Sequence, residues 1–286
     1  MKDENIGPAL PSRDGPRTLA IDVGGTGLKA SVLDPAGQML VERVRVATPD
    51  PCRPAILLRA LADLAAPLPP FDRISIGFPG VVRDGHVVTA PHFDADAWFD
   101  YPLEAALSRR LGKPARLLND AEVQGLGIVA GQGLEVVITL GTGVGSAVFS
   151  GGRLTPHLEL AHHPIHNGKS YNDYLGNETR RSIGDKKWNR RVIKTLGIIE
   201  ALLHYDVLYI GGGNSANITG DLPANIRLAS NDTGITGGIL LWDNDVWGAI
   251  RRRASARVGT LFDGTVAPPV ASPPERKHRL RAPARS

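Results

Sequence analysis

Short apolar runs that stop at glycine or proline alternate with longer amphipathic stretches between residues 18 and 242. The short runs predict strands, and apolar residues at helical spacing predict helices. In the first half of the chain we predict strands at residues 18–23, 28–33, 39–46, 73–78 and 115–118, and helices at residues 55–66, 103–111 and 121–130. Because strands and helices alternate, the pattern predicts an α/β fold.

The opening pattern returns in the second half of the chain. The strand, glycine loop, strand and turn of residues 18–37 are matched, in the same order, by residues 135–140, 141–145, 146–149 and 150–153. A further strand at residues 207–210 ends in three glycines, and residues 236–242 are predicted to form a helix that packs back on the body. The repeat predicts two similar halves with a cleft between them.

Composition supports a folded chain, with 286 residues of which 42% are hydrophobic and 22% charged. Cys52 is the only cysteine, which excludes an internal disulfide and a cysteine-based zinc site. No apolar run approaches the roughly 18 residues that cross a bilayer, and residues 1–16 lack the apolar stretch of a signal peptide. We therefore expect a cytoplasmic protein with no membrane partner.

The formal net charge of +4 comes from the end of the chain. Residues 251–286 hold nine Lys and Arg against two acidic residues and are rich in proline and alanine, a composition typical of solvated tails. We expect no nucleic-acid partner, because the tail lacks interleaved aromatic residues and a recognisable binding fold. The predicted organisation is a disordered segment 1–16, a small lobe 17–118, a large lobe 119–243 and a disordered basic tail 244–286.

Three glycine loops follow predicted strands, where backbone N–H groups can converge on an anion. Neither common nucleotide-binding glycine pattern is present. The first loop instead combines the carboxylate of Asp22, the hydroxyl of Thr26 and the amine of Lys29 around bare glycine backbone, a set suited to Mg²⁺ and phosphate. Each loop taken alone could be a plain hairpin turn. Three loops in a duplicated chain favour phosphate binding.

The sequence resembles the ROK family of sugar kinases. Within that family it is most similar to the polyphosphate glucokinases, which also lack the cysteine-containing zinc motif of many members. The resemblance rests on IDVGGTGLKASVLD (21–34), IGFPGVV (76–82), LLNDAEVQGLG (117–127), ITLGTGVGSAVFSGGRL (138–154), LELAHH (158–163) and YIGGGNS (209–215). It implies a two-lobed actin-like ATPase (ribonuclease H-like) fold with duplicated halves and an interlobe cleft.

The resemblance also implies residues that hold the sugar. Asp120 matches the family's catalytic base, while the residues alone leave open that Asp120 merely caps the following helix. Asn119 is expected to hold a sugar hydroxyl. Glu159 and His162 match a sugar-binding motif in which Ala161 replaces a glycine. The remaining candidate sugar contacts are Gly80, His92, which stands where many relatives have an asparagine, and Glu178, a weaker candidate for a later glutamate.

For the phosphoryl donor, the resemblance implies Mg²⁺ near Asp22, with ATP or polyphosphate bound by the glycine loops and any nucleoside beside the third loop. The implied phosphate- and nucleotide-binding residues are Asp22, Gly24, Gly25, Thr26, Lys29, Gly141, Thr142, Gly143, Gly211, Gly212, Gly213 and Asn214. The stretch that follows Glu159 is rich in histidine but has no cysteine, so we expect no zinc site.

Several alternatives stay open on sequence grounds. The expected reaction is phosphorylation of the glucose 6-hydroxyl, but mannose, fructose or an amino sugar fit the same residues. A non-catalytic sugar-sensing regulator of the same family is a further reading, and a homodimer is possible. A basic helix face could carry a polyphosphate chain or simply be solvated; it consists of Lys186, Lys187, Arg190, Arg191 and Lys194.

Overall fold

Two five-stranded sheets organise the protein in a computed structural model that describes residues 15–230 and 232–255. The strands are β1 (Thr18–Val23), β2 (Gly27–Leu33), β3 (Val44–Ala47), β4 (Arg73–Phe78), β5 (Val82–Arg83), β6 (His86–Val87), β7 (Ala115–Asn119), β8 (Leu134–Leu140), β9 (Val144–Ser150), β10 (Arg153–Leu154), β11 (Pro164–His166), β12 (Lys169–Ser170), β13 (Val207–Gly211) and β14 (Ile226–Leu228). The helices are α1 (Pro54–Ala65), α2 (Ala95–Trp98), α3 (Leu103–Leu111), α4 (Asp120–Leu126), α5 (Tyr171–Leu175), α6 (Asn177–Ile183), α7 (Asp185–Leu203), α8 (Thr233–Thr236) and α9 (Asn244–Ser255), with 3₁₀ turns at Ser215–Asn217 and Gly237–Trp242.

The two sheets share one topology. The first has the order β3-β2-β1-β4-β7 and the second the order β10-β9-β8-β13-β14. In each sheet the leading strand forms an antiparallel hairpin on one side and a parallel pair on the other, as β1 does with β2 and β4, and β8 with β9 and β13. This confirms the predicted α/β fold with duplicated halves.

Each half has its own core. In the first, Leu57 and Leu61 of α1 and Leu107 of α3 are fully buried against the sheet. In the second, Trp188 and Ile199 of α7 are fully buried against β8 and β13. The apolar positions of these helices repeat every three to four residues, so one face of each packs on its sheet while the other stays in water.

Two predicted elements are shorter in the structure. The strand predicted at residues 39–46 is regular only over Val44–Ala47; before it, Met39 forms an isolated bridge with Leu33, and Val41 O accepts from the Ser31 hydroxyl in place of a strand N–H. The helix predicted at residues 121–130 ends at Leu126. Beyond it, the buried carboxylate of Glu135 accepts hydrogen bonds from the backbone N–H groups of residues 130, 131 and 132, which holds this stretch as a turn.

The end of the described chain returns to the first sheet. Gly237–Trp242, predicted as a helix, is a 3₁₀ turn that packs on β1 and β4. The Ser75 hydroxyl on β4 donates to Gly238 O at 2.6 Å and accepts from Trp242 Nε1 at 2.9 Å. The guanidinium of Arg116 lies over the rings of both Trp242 and Trp247, at 4.3 and 4.9 Å.

This return corrects one predicted boundary. Residues 244–255, which the sequence predicts to be part of a disordered tail, form helix α9. Its residues Trp247 and Ile250 pack on the core beside the 3₁₀ turn. The rest of the predicted tail, residues 256–286, and residues 1–14 of the predicted N-terminal segment lie outside the described residues.

We predict that Leu241→Ala lowers the free energy of unfolding by about 2–5 kcal/mol, because Leu241 is fully buried where this segment meets the core. Urea unfolding followed by fluorescence measures the change. The matched control is Leu202→Ala on the exposed side of α7, expected to change stability by less than about 0.5 kcal/mol. Equal effects of the two substitutions would contradict this packing.

Candidate active site

A cleft of about 380 Å³ opens where the loops after β1, β4, β7, β8 and β13 converge. Parallel strands point their carboxyl ends the same way, so the loops that follow them collect at one edge of each sheet. Most of the predicted site residues line this cleft: Asp22, Gly24, Gly25, Thr26, Lys29, Gly80, His92, Asn119, Asp120, Gly141, Thr142, Gly143, Glu159, Gly212 and Gly213.

The first two glycine loops approach each other across the cleft. Each is closed by a backbone hydrogen bond, from Gly24 N to Gly27 O at 3.0 Å and from Gly141 N to Gly143 O at 2.9 Å. A Cβ atom on Gly25 would lie 3.4 Å from Cγ2 of Thr142, on the opposite loop. Glycine is needed most clearly at the start of the first loop, where a Cβ on Gly24 would lie only 2.9 Å from Gly27 O.

Asp22 and Lys29 face each other at the base of the first loop. They are paired across β1 and β2, and Lys29 Nζ lies 2.8 Å from Asp22 Oδ2. Arg45 on β3 stands opposite Lys29 in the next strand, so the three charged side chains lie on one face of the sheet.

Sequence reasoning missed Arg43 and Arg45, both of which line the cleft. Their alternation with Val44 in the strand predicted at residues 39–46 was the available signal, since residues two apart in a strand share a face. Arg43 also forms an ion pair with Asp232 at 2.8 Å. The side of the cleft formed by the first glycine loop thus carries Arg43 and Arg45 in addition to Lys29.

Asn119 and Asp120 occupy different positions at the start of α4. Asn119 is the N-cap: its Oδ1 accepts from Ala121 N at 2.9 Å and Glu122 N at 3.3 Å. Its Nδ2 donates to the carbonyl of Gly80 at 3.1 Å, which fixes the turn after β4. The cap therefore belongs to Asn119, and the contact of Asn119 with a sugar hydroxyl stays a prediction.

Asp120 is the first residue of α4 and lines the cleft. Burial raises the pKa of its carboxyl to about 7, and the negative charge of Asp22 adds to the rise, against the lowering effect of a hydrogen bond from Ala121 N. A carboxyl with a pKa near neutrality can accept a proton efficiently at neutral pH.

Glu159 is held by a residue that no predicted motif contained. His157 Nε2 lies 3.3 Å from Glu159 Oε2, and His157 Nδ1 lies 2.8 Å from Glu122 Oε1. Burial by itself would lower the pKa of His157, but the hydrogen bonds to both glutamates outweigh it and raise that pKa to about 9. Burial would raise the pKa of Glu159, but the bond to His157 and its charge lower it.

The two histidines predicted to contact the sugar, His92 and His162, differ in position. His92 sits between the glycine loops, since a Cβ on Gly25 would lie 3.6 Å from its ring and a Cβ on Gly143 would lie 3.1 Å from its Nε2. Burial lowers the pKa of His92, and the charge of His162 lowers it further. His162 is exposed and is not among the residues that line the cleft.

The structure leaves some other predicted residues outside the cleft. Gly211 and Asn214 do not line it; Asn214 Nδ2 donates to Gly141 O at 3.1 Å, and its Oδ1 accepts from Arg180 at 3.1 Å. Glu178 is exposed on α6, whereas Asn172 on the preceding helix does reach the cleft.

The basic face of α7 also lies apart from the cleft lining. Arg191 is occupied within the second lobe, where its guanidinium lies 4.5 Å from the centre of the Tyr174 ring. Within residues 15–230 and 232–255, no three His, Cys, Asp or Glu side chains are grouped to hold a metal ion, and no helix is long and apolar enough to cross a membrane.

Comparison with known proteins agrees with this geometry. The ROK family model matches residues 18–159. A polyphosphate glucokinase from Mycobacterium tuberculosis (strain H37Rv) is 31% identical over 226 residues, which cover 74% of this chain and 84% of that protein. The chain belongs to the ROK family.

Solved structures extend the likeness of this ROK protein to the whole fold. An inorganic polyphosphate/ATP-glucomannokinase from Arthrobacter sp. strain KM superposes with a TM-score of 0.71 at 29% identity, covering 79% of this chain and 98% of that one. A ROK family glucokinase from Streptomyces griseus, solved with glucose and AMPPNP, gives a TM-score of 0.65 at 19% identity over 79% and 98% of the two chains, which supports the fold alone.

Proposed function

We propose that this ROK protein is a sugar kinase that transfers a phosphoryl group from polyphosphate or ATP to the 6-hydroxyl of glucose. One observation carries the proposal: a single cleft holds a near-neutral carboxyl, Asp120, together with two facing glycine loops and a second carboxylate, Glu159. Asp120 can accept a proton, the glycine loops can bind phosphate, and Glu159 can accept hydrogen bonds from sugar hydroxyls. The named activities of the two most similar proteins described above support the same reaction class.

On the acceptor side, Asp120 acts as the general base. Its carboxylate takes the proton of the attacking hydroxyl as that oxygen bonds to phosphorus, and the donor leaves one phosphate shorter. Glu159 accepts hydrogen bonds from neighbouring hydroxyls and so fixes which oxygen faces Asp120. His92 and Asn119 are further candidates for sugar contact, since both line the cleft.

On the donor side, the backbone N–H groups of the glycine loops and the amine of Lys29 hold the phosphates. A Mg²⁺ ion that arrives with the donor fits beside Asp22, since Mg²⁺ is usually held by one or two carboxylates plus substrate phosphates, and it would offset phosphate charge. The described cleft lining contains Lys29, Arg43 and Arg45 and no phenylalanine, tyrosine or tryptophan ring on which a nucleobase could stack. This balance favours polyphosphate over ATP.

The first test measures glucose phosphorylation with Mg²⁺ and either ATP or long-chain polyphosphate. We expect turnover with polyphosphate and a loss of kcat of about 10²–10⁴-fold in Asp120→Asn, because the asparagine cannot take a proton. Turnover with ATP alone would reverse the donor preference. No turnover with either donor would refute glucose as the acceptor, and a panel of mannose, fructose and amino sugars would follow.

The raised pKa of Asp120 makes a separate prediction about pH. The base must be ionised, so kcat/KM for glucose is expected to fall about tenfold per pH unit as the pH drops below about 7. Initial rates from pH 5 to 8.5, with enzyme integrity checked after each incubation, measure this profile. An acid limb centred near pH 4, the range of an ordinary aspartate, would exclude the proposed environment of Asp120.

The donor chain is expected to run past Arg45 and not along α7. Arg45→Gln should raise KM for long-chain polyphosphate about tenfold, the cost of one charge-assisted hydrogen bond, with little change in KM for glucose. Arg190→Gln is the matched control, because Arg190 is also an exposed arginine but lies on the basic face of α7. The reverse result, a raised KM only in the control, would move the donor to α7.

A further inference from the structure

His157 bridges two carboxylates beside the cleft. Both ring nitrogens face ionisable oxygens, at 2.8 Å from Glu122 and 3.3 Å from Glu159, and the side chain is only 15% exposed. Ionised carboxylates only accept hydrogen bonds, so both nitrogens must donate, and a histidine donates from both only as the imidazolium. With both glutamates ionised, the ring therefore carries a positive charge between them.

This bridge joins the sugar-binding loop to the start of α4. Glu122 closes the capping box of α4, since its Oε2 accepts from Asn119 N at 3.2 Å while Asn119 caps the helix that begins with Asp120. At the other end, Glu159 Oε1 accepts from Ala161 N at 3.0 Å. A continuous line of hydrogen bonds therefore runs from the cap beside Asp120 to the loop that carries Glu159.

We propose that His157 is a positioning residue: its imidazolium fixes the carboxylate of Glu159 in the ionised state and orientation that bind a sugar, and ties that carboxylate to the cap beside Asp120. The inference rests on the proposed function, because it assigns Glu159 to the sugar. His157 itself takes no proton from substrate, since neither of its nitrogens is free to accept one.

The charged surroundings support this role. The charges of Asp22, Glu122 and Glu159 all act on Asp120, so the acidic groups are close together around the cleft. Two further histidines are electrostatically coupled to Glu159: its charge acts on His92, and the charge of His162 acts on it. His157 is the one that contacts two of the acidic side chains directly, among the described residues.

The first experiment measures glucose binding by calorimetry, without turnover, from pH 6 to 8. His157→Asn is expected to bind glucose about tenfold more weakly than the unmodified protein at pH 7.5. Its affinity should weaken toward pH 6 by more than that of the unmodified protein, because Glu159 has lost its partner and protonates in addition to Asp120. His86→Asn is the control, because His86 forms a similar pair with Asp100 on the surface, outside the cleft.

The second experiment titrates the His157 ring protons by NMR in the absence of sugar, with His157→Asn identifying the signals. The midpoint is expected near pH 9, and Glu122→Gln should lower it by about one unit or more while its glutamine keeps the capping box. A midpoint near 6.5, or one unmoved by Glu122→Gln, would overturn the bridge.

The outcomes separate the two proposals. If the unmodified protein does not bind glucose, the proposed acceptor is wrong, and the NMR titration alone decides the bridge. If it binds glucose and His157→Asn binds equally well at every pH, the positioning role is wrong while the proposed function stands. A His157→Asn protein that shows lower thermal stability but unchanged affinity at every pH would assign His157 to folding only.

Discussion

The side-chain amide of Asn119 is the contact on which the arrangement of the cleft depends. It is almost fully buried, accepts two backbone N–H groups at the start of α4 and donates to the turn that follows β4. A helix start needs its free N–H groups satisfied, and a buried turn needs its carbonyls satisfied. By meeting both needs with one side chain, Asn119 fixes Asp120 relative to Gly80 and to the first sheet.

The second constraint on the cleft is electrostatic. Three other acidic residues, Asp22, Glu122 and Glu159, lie near Asp120, and their negative charges add to the burial that raises the pKa of its carboxyl. All three of them have a basic partner: Lys29 pairs with Asp22, and His157 pairs with both Glu159 and Glu122. Asp120 forms no ion pair in the described structure, and it is the carboxyl whose pKa rises to neutrality. The pattern of pairing therefore distinguishes Asp120, which has no cationic partner, from the three carboxylates that have one.

The two halves are also held by the segment that follows the second sheet. Ile235 packs with Ala20 and Leu33 of the first sheet, and Trp242 bonds to Ser75 and lies against Arg116. Gly237 comes close to the backbone of α4, where a Cβ would lie 2.1 Å from Val123 O. The C-terminal part of the chain thus packs on both the first sheet and the helix that carries Asp120. Residues that follow the second sheet in sequence therefore complete the packing of the first.

The sequence by itself determined the central strands of both sheets, the principal helices of the first half, the duplication and the glycine loops, because periodicity and glycine placement are local properties of the chain. Asp120, Glu159 and the loops could be found because they lie in short contiguous motifs. The sequence left undecided whether Asp120 merely caps the following helix, whereas the structure gives that cap to Asn119, and the sequence did not identify His157, Arg43 or Arg45 as parts of the site. Those roles depend on contacts between residues far apart in the chain, such as His157 with Glu122, and on which strand lies beside which. Helix α9 was missed for the same reason: its basic composition favours solvent, and only packing of Trp247 and Ile250 on the distant core makes it fold.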